Sequence, residues 1–232
     1  MYTGSDVRVY RDVFSEIIGN IRETGDASNS AISGGNTTIT DENTFIDGDI
    51  VDIDGTDYKV VSATSSAFIV PGELSDLTTW TALSPYFIDE PIKKLAETLM
   101  RKDGKTENFK YQKYPFIALI YDINENRNVQ QDYAIATFRF IIGMYTDKNY
   151  NSEERIENVF KTRLYPIYQD FLNEIITSGY FDIENNIIPH VKTDRLYWGL
   201  TPSTAAKQLG DFVDAIEITN MTLKVLEKQC LP

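Results

Sequence analysis

One cysteine and one histidine among 232 residues close several routes to function at once. Cys230 alone cannot build an internal disulfide framework or a CxxC metal knuckle. With His190 as the single imidazole, no His-based zinc site can be assembled, and Cys230 is too isolated to help. No apolar run approaches the roughly 20 residues needed to span a bilayer. The first residues, Met1-Tyr2-Thr3-Gly4-Ser5-Asp6, have neither a charged n-region nor an apolar h-region. We therefore expect no secretory signal, no membrane partner and a soluble protein made in a cytoplasm. Basic residues are scarce: 22 Lys and Arg stand against 35 Asp and Glu, a net charge of −13. That balance argues against a chain whose main task is gripping nucleic acid, because such affinity comes from cations neutralising phosphates. An acidic wall would instead let a phosphate backbone pass without sticking.

What is present is enough for a core. Hydrophobic residues make up 42% and aromatics 12%, which argues against wholesale disorder. The length suits one large domain, or a domain with a sizeable insertion. Val9, Val13, Phe14, Ile17, Ile18 and Ile21 recur at helical spacing, with Gly25 as a plausible stop. The small and polar residues from Asp26 to Asn36 read as a mobile loop. From Asn36 to Leu83 the pattern turns to short strands. Ile50-Val51-Asp52-Ile53, Asp54-Gly55 and Thr56 to Val61 form a hairpin signal. We read 36–83 as an all-β insertion into an α+β domain made of 1–35 and 84–232. Nine acids against one base give this insertion −8 of the −13, leaving −5 elsewhere.

A second helix is predicted from Glu90-Pro91 to Asp103-Gly104. An apolar run, Phe116 to Ile123, and the long Tyr133 to Tyr145 predict an antiparallel hairpin. Ser152 is the expected N-cap of a long helix to Ser178, bent or interrupted at Pro166 and closed by Gly179. Strands over 191–198 and 213–225 complete an antiparallel or mixed sheet packed by helices.

Chemistry-bearing patterns are few. Asp47, Asp49, Asp52, Asp54 and Asp57 supply oxygens of the kind calcium takes. Ile50-Val51 breaks the alternation an EF-hand needs, and no Glu stands at its twelfth position, so the run reads as a hairpin with outward acids. His190 follows Pro189 and reads as the start of a strand; no GxSxG marks a nucleophile. We expect no catalytic residue, no metal and no cofactor. Lys93, Lys94, Arg101, Lys102 and Lys105 form a basic cluster on and after the second helix. This cluster is either a solvated face or a contact for an acidic neighbour, such as another copy of the chain. Together with the five aspartates, those residues are the candidate interface.

Tyr114-Pro115-Phe116-Ile117-Ala118-Leu119-Ile120, the hairpin to Phe138-Arg139-Phe140-Ile141-Ile142-Gly143-Met144-Tyr145-Thr146, the long helix and the closing strand 213–225 resemble the tail-terminator and tail-completion proteins of tailed bacteriophages. The resemblance covers 6–24 and 90–228 and lies in element order and texture. The Asn-, Ile- and Tyr-heavy composition is also similar to that of AT-rich phages, including crAss-like podoviruses, whose necks contain stacked ring proteins. The resemblance implies a non-enzymatic virion protein forming a hexameric or dodecameric ring at the head–tail joint. Its partners would be neighbouring neck, portal and tail proteins, with DNA passing through unread. The same residues also admit a cellular α+β binding or adaptor module. They admit a hydrolase or metal-dependent enzyme as well, which the shortage of His and Cys opposes.

Overall fold

The computed structural model describes residues 9–45, 47–103, 114–127, 133–198 and 212–226. Contacts divide the chain into two units. One comprises Met1–Ile21, Pro85–Lys105 and Lys113–Pro232; the other comprises Arg22–Ser84 with Thr106–Gln112.

The smaller unit is all β. Its strands are β1 (Thr24–Asp26), β2 (Ser30–Ser33), β3 (Asn36–Ile39), β4 (Ile50–Ile53), β5 (Thr56–Lys59), β6 (Ser62–Thr64), β7 (Ala67–Pro71) and β8 (Thr79–Ala82). They make two antiparallel sheets, ordered β1-β8-β4-β5 and β2-β3-β7-β6. In β3, β4 and β7 alternate residues are buried, as the two-residue period of a strand requires when one face meets a core. Ile39, Val51, Ile53, Val60, Phe68, Val70, Phe45 and Trp80 fill that core. The indole lies edge-on to both phenyl rings, at 5.1 Å from Phe45 and 5.6 Å from Phe68.

The expected hairpin forms. Asp54 and Gly55 both take left-handed backbone angles, φ 49° and 87°, so the two-residue turn matches the twist of β4 and β5.

Two expectations fail here. The unit begins at Arg22, not Asn36, and the stretch read as a mobile loop, Asp26 to Asn36, contains β2 and the last residue of β1. β2 has one large apolar residue, Ile32, and that is exposed, so it carries no hydrophobic alternation to read. It is a strand because Gly34-Gly35, with φ 61° and 79°, folds it back onto β3. Gly25 is likewise no helix stop. It lies in β1, where a Cβ would stand 2.2 Å from Asp41 Oδ2 and 2.5 Å from the Trp80 ring. The ends of the unit meet: Thr24 pairs with Thr81, the Ala82 N–H donates to the Glu23 carbonyl at 2.8 Å, and Arg22 Nε donates to Ser84 Oγ at 3.1 Å.

The larger unit is α+β with a mixed seven-stranded sheet. Its elements are α1 (Tyr10–Gly19), β9 (Tyr86–Glu90), α2 (Ile92–Asp103), β10 (Phe116–Ile120), β11 (Asn124–Arg127), β12 (Tyr133–Tyr145), α3 (152–177), β13 (Phe181–Asp182), β14 (Val191–Arg195) and β15 (Val213–Leu226). The antiparallel β12–β15 pair is the spine. β10 and β11 line the far side of β12, and β13 and β14 line the far side of β15. β9, which the sequence did not suggest, adds parallel to β10.

Val13, Phe14, Ile17 and Ile18 of α1 and Val159, Phe160, Leu164, Phe171 and Ile175 of α3 belong to one buried cluster. That cluster takes Ile117, Leu119, Phe138, Phe140, Ile142, Ile216 and Ile218 from the sheet. On the opposite face Leu95 and Leu99 of α2 cluster with Phe116, Ala118, Ile120, Ile141, Val213 and Ala215. Every residue of β10 is therefore buried. Between Phe138 and Phe140 the β12–β15 register shifts, because Thr219 and Asn220 together oppose Arg139. Asn220 has φ 54° in this bulge, and beyond it the inward positions change from even to odd: Met221, Leu223 and Val225 join the core.

α3 corrects two further expectations. Its cap is Asn151, not Ser152: the Asn151 side chain accepts from Glu153 and Glu154 N–H groups, and the Glu154 carboxylate accepts from the Asn151 N–H. Pro166 does not break the helix. Wide π turns over Ile156–Leu164 hand over to α turns over Tyr165–Thr177, so the missing N–H falls at the seam between two hydrogen-bonding patterns. α1 ends at Gly19, and Ile21 is buried beyond its end.

Candidate functional site

The five aspartates of the candidate interface do not act alike. Asp54 is exposed, yet its carboxylate accepts from Thr78 N–H (3.0 Å), Thr78 Oγ1 (2.5 Å) and Thr79 N–H (3.0 Å), pinning the start of β8. Those donors, the Thr78 hydroxyl first, hold its carboxyl below the ordinary 3.8. Asp52 accepts from Gly55 N–H at 2.9 Å and Asp47 from Ala63 N–H at 3.0 Å. Asp57 is exposed directly across the ladder from Asp52, and Asp49 is half-buried. Three of the five carboxylates thus fix main-chain groups of the smaller unit, Asp52 within the hairpin turn and Asp54 and Asp47 on other segments. Among the described residues no group of three or more His, Cys, Asp and Glu is placed to hold a metal ion.

Asp41, outside the predicted set, does more. One of its oxygens accepts from Asp26 N–H at 2.7 Å and from Trp80 Nε1 at 2.9 Å, tying the core indole to β1.

Of the basic cluster, Lys94 is exposed on α2. The side chains of Lys93, Arg101 and Lys102, and all of Lys105, lie outside the described residues. Among the described residues no helix is long and apolar enough to cross a membrane.

His190 stands just before β14. Its Nδ1 lies 2.7 Å from the Ile188 carbonyl, which can only accept, so that nitrogen carries the hydrogen. Its Nε2 lies 2.6 Å from the Tyr168 hydroxyl. Beside it Lys192 Nζ sits 4.4 Å from the Tyr165 ring centre and 5.5 Å from that of Tyr168. Lys192 also bridges Asp194 at 2.5 Å, and Asp194 accepts from the Tyr165 hydroxyl at 2.8 Å. Burial first, and then Asp194, by its hydrogen bond and charge on Tyr165 and by its charge on Tyr168, raise both phenols above their ordinary range. This cluster escaped sequence reading because its members come from α3 and β14. The alternation that sets Lys192 and Asp194 on one face is its only local trace.

On the other face Glu217 gathers Trp198 Nε1 at 3.0 Å, Arg195 Nε at 3.4 Å and Arg139 Nη2 at 3.9 Å. Among the described residues β9 and β14 each have a strand on one side only, as do the shorter β11 and β13. The first two carry charge: Asp89 and Glu90 on β9, Lys192, Asp194 and Arg195 on β14. Asp89 is bridged by Arg11 of α1 at 3.0 Å.

No family model, no curated protein and no solved structure matches this chain.

Proposed function

We propose that this chain is a non-enzymatic virion protein that forms a homo-oligomeric ring in the neck of a tailed phage, joining adjacent rings around the DNA channel. The observation that carries the reading is the order of elements in the larger unit. An amino-terminal helix packs on a sheet of hairpin strands, a long helix follows the strand ending at Tyr145, and a long closing strand returns beside it. That is the order implied by the resemblance to tail-terminator and tail-completion proteins.

The distribution of charge agrees with it. Residues 22–84 carry eleven acids and two bases, so −9 of the net −13 lies there and −4 elsewhere. A strongly acidic unit repels phosphates, as a wall beside passing DNA must.

The test is to purify virions of the source phage, identify their proteins by mass spectrometry and locate this chain by gold-labelled antibody. Label at the neck is expected. Absence of the chain from purified virions overturns the reading.

A further inference from the structure

We propose that the sheet of the larger unit continues from one copy of this chain into the next, with β9 of one copy pairing antiparallel to β14 of its neighbour. The proposal deepens the ring reading and rests on it for a closed assembly.

An edge strand offers a row of unpaired N–H and C=O groups, a template for another strand. Here the two edges are different strands, so joining them is a head-to-tail contact, the kind that generates rings. Direction comes from the ladders. β14 runs against β15, β15 against β12, β12 against β10, and β10 runs with β9. β9 and β14 therefore point opposite ways, and copies placed head to tail in one orientation bring them together antiparallel.

Hydrogen-bond alternation then narrows the register. The Tyr86 N–H donates to the Pro115 carbonyl at 2.8 Å, so Tyr86, Ile88 and Glu90 face β10, and Phe87 and Asp89 turn their main-chain groups outward. Carried across β12 and β15, the same alternation turns Lys192 and Asp194 outward at the other edge.

Outward residues must oppose one another, which leaves Asp89 facing Lys192 or Asp194. The first choice sets a carboxylate beside an ammonium; the second sets two carboxylates together. Both side chains lie on the face covered by α1 and α3, since Asp89 is level with Leu119 and Lys192 with Ile218. With Asp89 opposite Lys192, Tyr86 falls opposite Arg195, Ile88 opposite Thr193 and Glu90 opposite Val191. The present partners of Asp89 and Lys192 are solvent-accessible ion pairs, which hold weakly and can be exchanged or shared.

The experiment places Glu90→Cys and Val191→Cys together in a Cys230→Ser background. Opposed residues of a non-hydrogen-bonded pair have Cα atoms about 4.5 Å apart, within disulfide reach. Oxidation of the concentrated protein should give a ladder of covalent multimers on non-reducing gels, whereas each single-cysteine variant stops at a dimer. Lys192→Pro removes one outward N–H without touching the ladder to β15. It should abolish assembly while leaving the circular dichroism spectrum unchanged.

Native multimers without a covalent ladder overturn the proposal, as does a protein that stays monomeric with no ladder, or full assembly by a folded Lys192→Pro variant. A ladder from a chain absent from virions overturns only the virion reading. A chain found in virions whose cysteine pair does not cross-link there overturns only the edge pairing.

Discussion

Arg155 and Asp214 meet with both side chains fully withdrawn from solvent, Nη1 lying 3.0 and 3.2 Å from the two carboxylate oxygens. Their remaining groups are also occupied. Arg155 donates from Nε to the Tyr150 carbonyl and from Nη2 to that of Asp147, while Asp214 accepts from the Tyr197 N–H. The Tyr197 ring covers the guanidinium at 3.6 Å. The pair thus ties the first turn of α3 to the start of β15.

Removing one partner strands the other charge in the core. Asp214→Ala should destabilise the larger unit by about 3–5 kcal/mol. Arg155→Met with Asp214→Leu should cost distinctly less, because no charge is left buried. Urea unfolding followed by Trp198 fluorescence in a Trp80→Phe background separates the two; equal losses would show that packing, not charge, holds this site.

Gly143 faces Phe116 across the β10–β12 ladder, and a Cβ there would stand 2.3 Å from the ring tip. Gly143→Ala should cost about 1–3 kcal/mol through overpacking. Adding Phe116→Leu should return part of the loss. The double variant is the informative one: if it is worse than the sum of the single changes, the ring is not what Gly143 accommodates.

Asp54 gives the smaller unit an acid-sensitive element. Its folded carboxyl lies below the ordinary value because Thr78 and Thr79 donate to it, so its contribution is complete above the unfolded value. That contribution fades as pH falls through the folded value, below about pH 4. Asp54→Asn should lower stability at neutral pH and flatten the acid slope. In a Trp198→Phe background Trp80 is the only tryptophan and reports the unit alone. Identical acid slopes with and without Asp54 would remove it as the cause.

Because Glu23 and Ala82 are hydrogen-bonded and Arg22 reaches Ser84, residues 22–84 leave the chain close to where they enter it. Replacing them with a short Gly-Ser linker should leave the larger unit folded, with its two hydrophobic clusters intact, and reduce the net charge from −13 to −4. Cutting only 36–83 should fail, because it leaves β1 and β2 without β8 and β3. Soluble, cooperative unfolding of the first product and aggregation of the second is the expected contrast. An insoluble first product would mean that the larger unit needs the smaller one to fold.

Much of this was legible locally. Asp54-Gly55 announced its hairpin because only residues tolerant of positive φ fit that turn, and α3 announced itself through a long run of apolar spacing. Gly34-Gly35 carried the same turn signal, but the strands around it are polar and their pairing is settled by β3 and β7. β9 was unreadable for a different reason. Tyr86-Phe87-Ile88-Asp89-Glu90 is short and shows no clean alternation, and it becomes a strand through β10, some thirty residues later in the sequence. The candidate interface fared similarly. Charge could be counted along the chain, but which carboxylates are engaged at home depended on partners such as Thr79 and Ala63 in other strands.

The bulge at Asn220 makes β15 two half-strands of opposite phase within one continuous run of chain. Met221, Leu223 and Val225 face inward only because one extra residue precedes them. A single-residue deletion at Asn220 would keep composition, charge and strand propensity almost unchanged, yet turn those three side chains to solvent and bring Thr222 and Lys224 into the core. The carboxyl-terminal half of the spine is therefore specified by a count of residues as much as by their kinds.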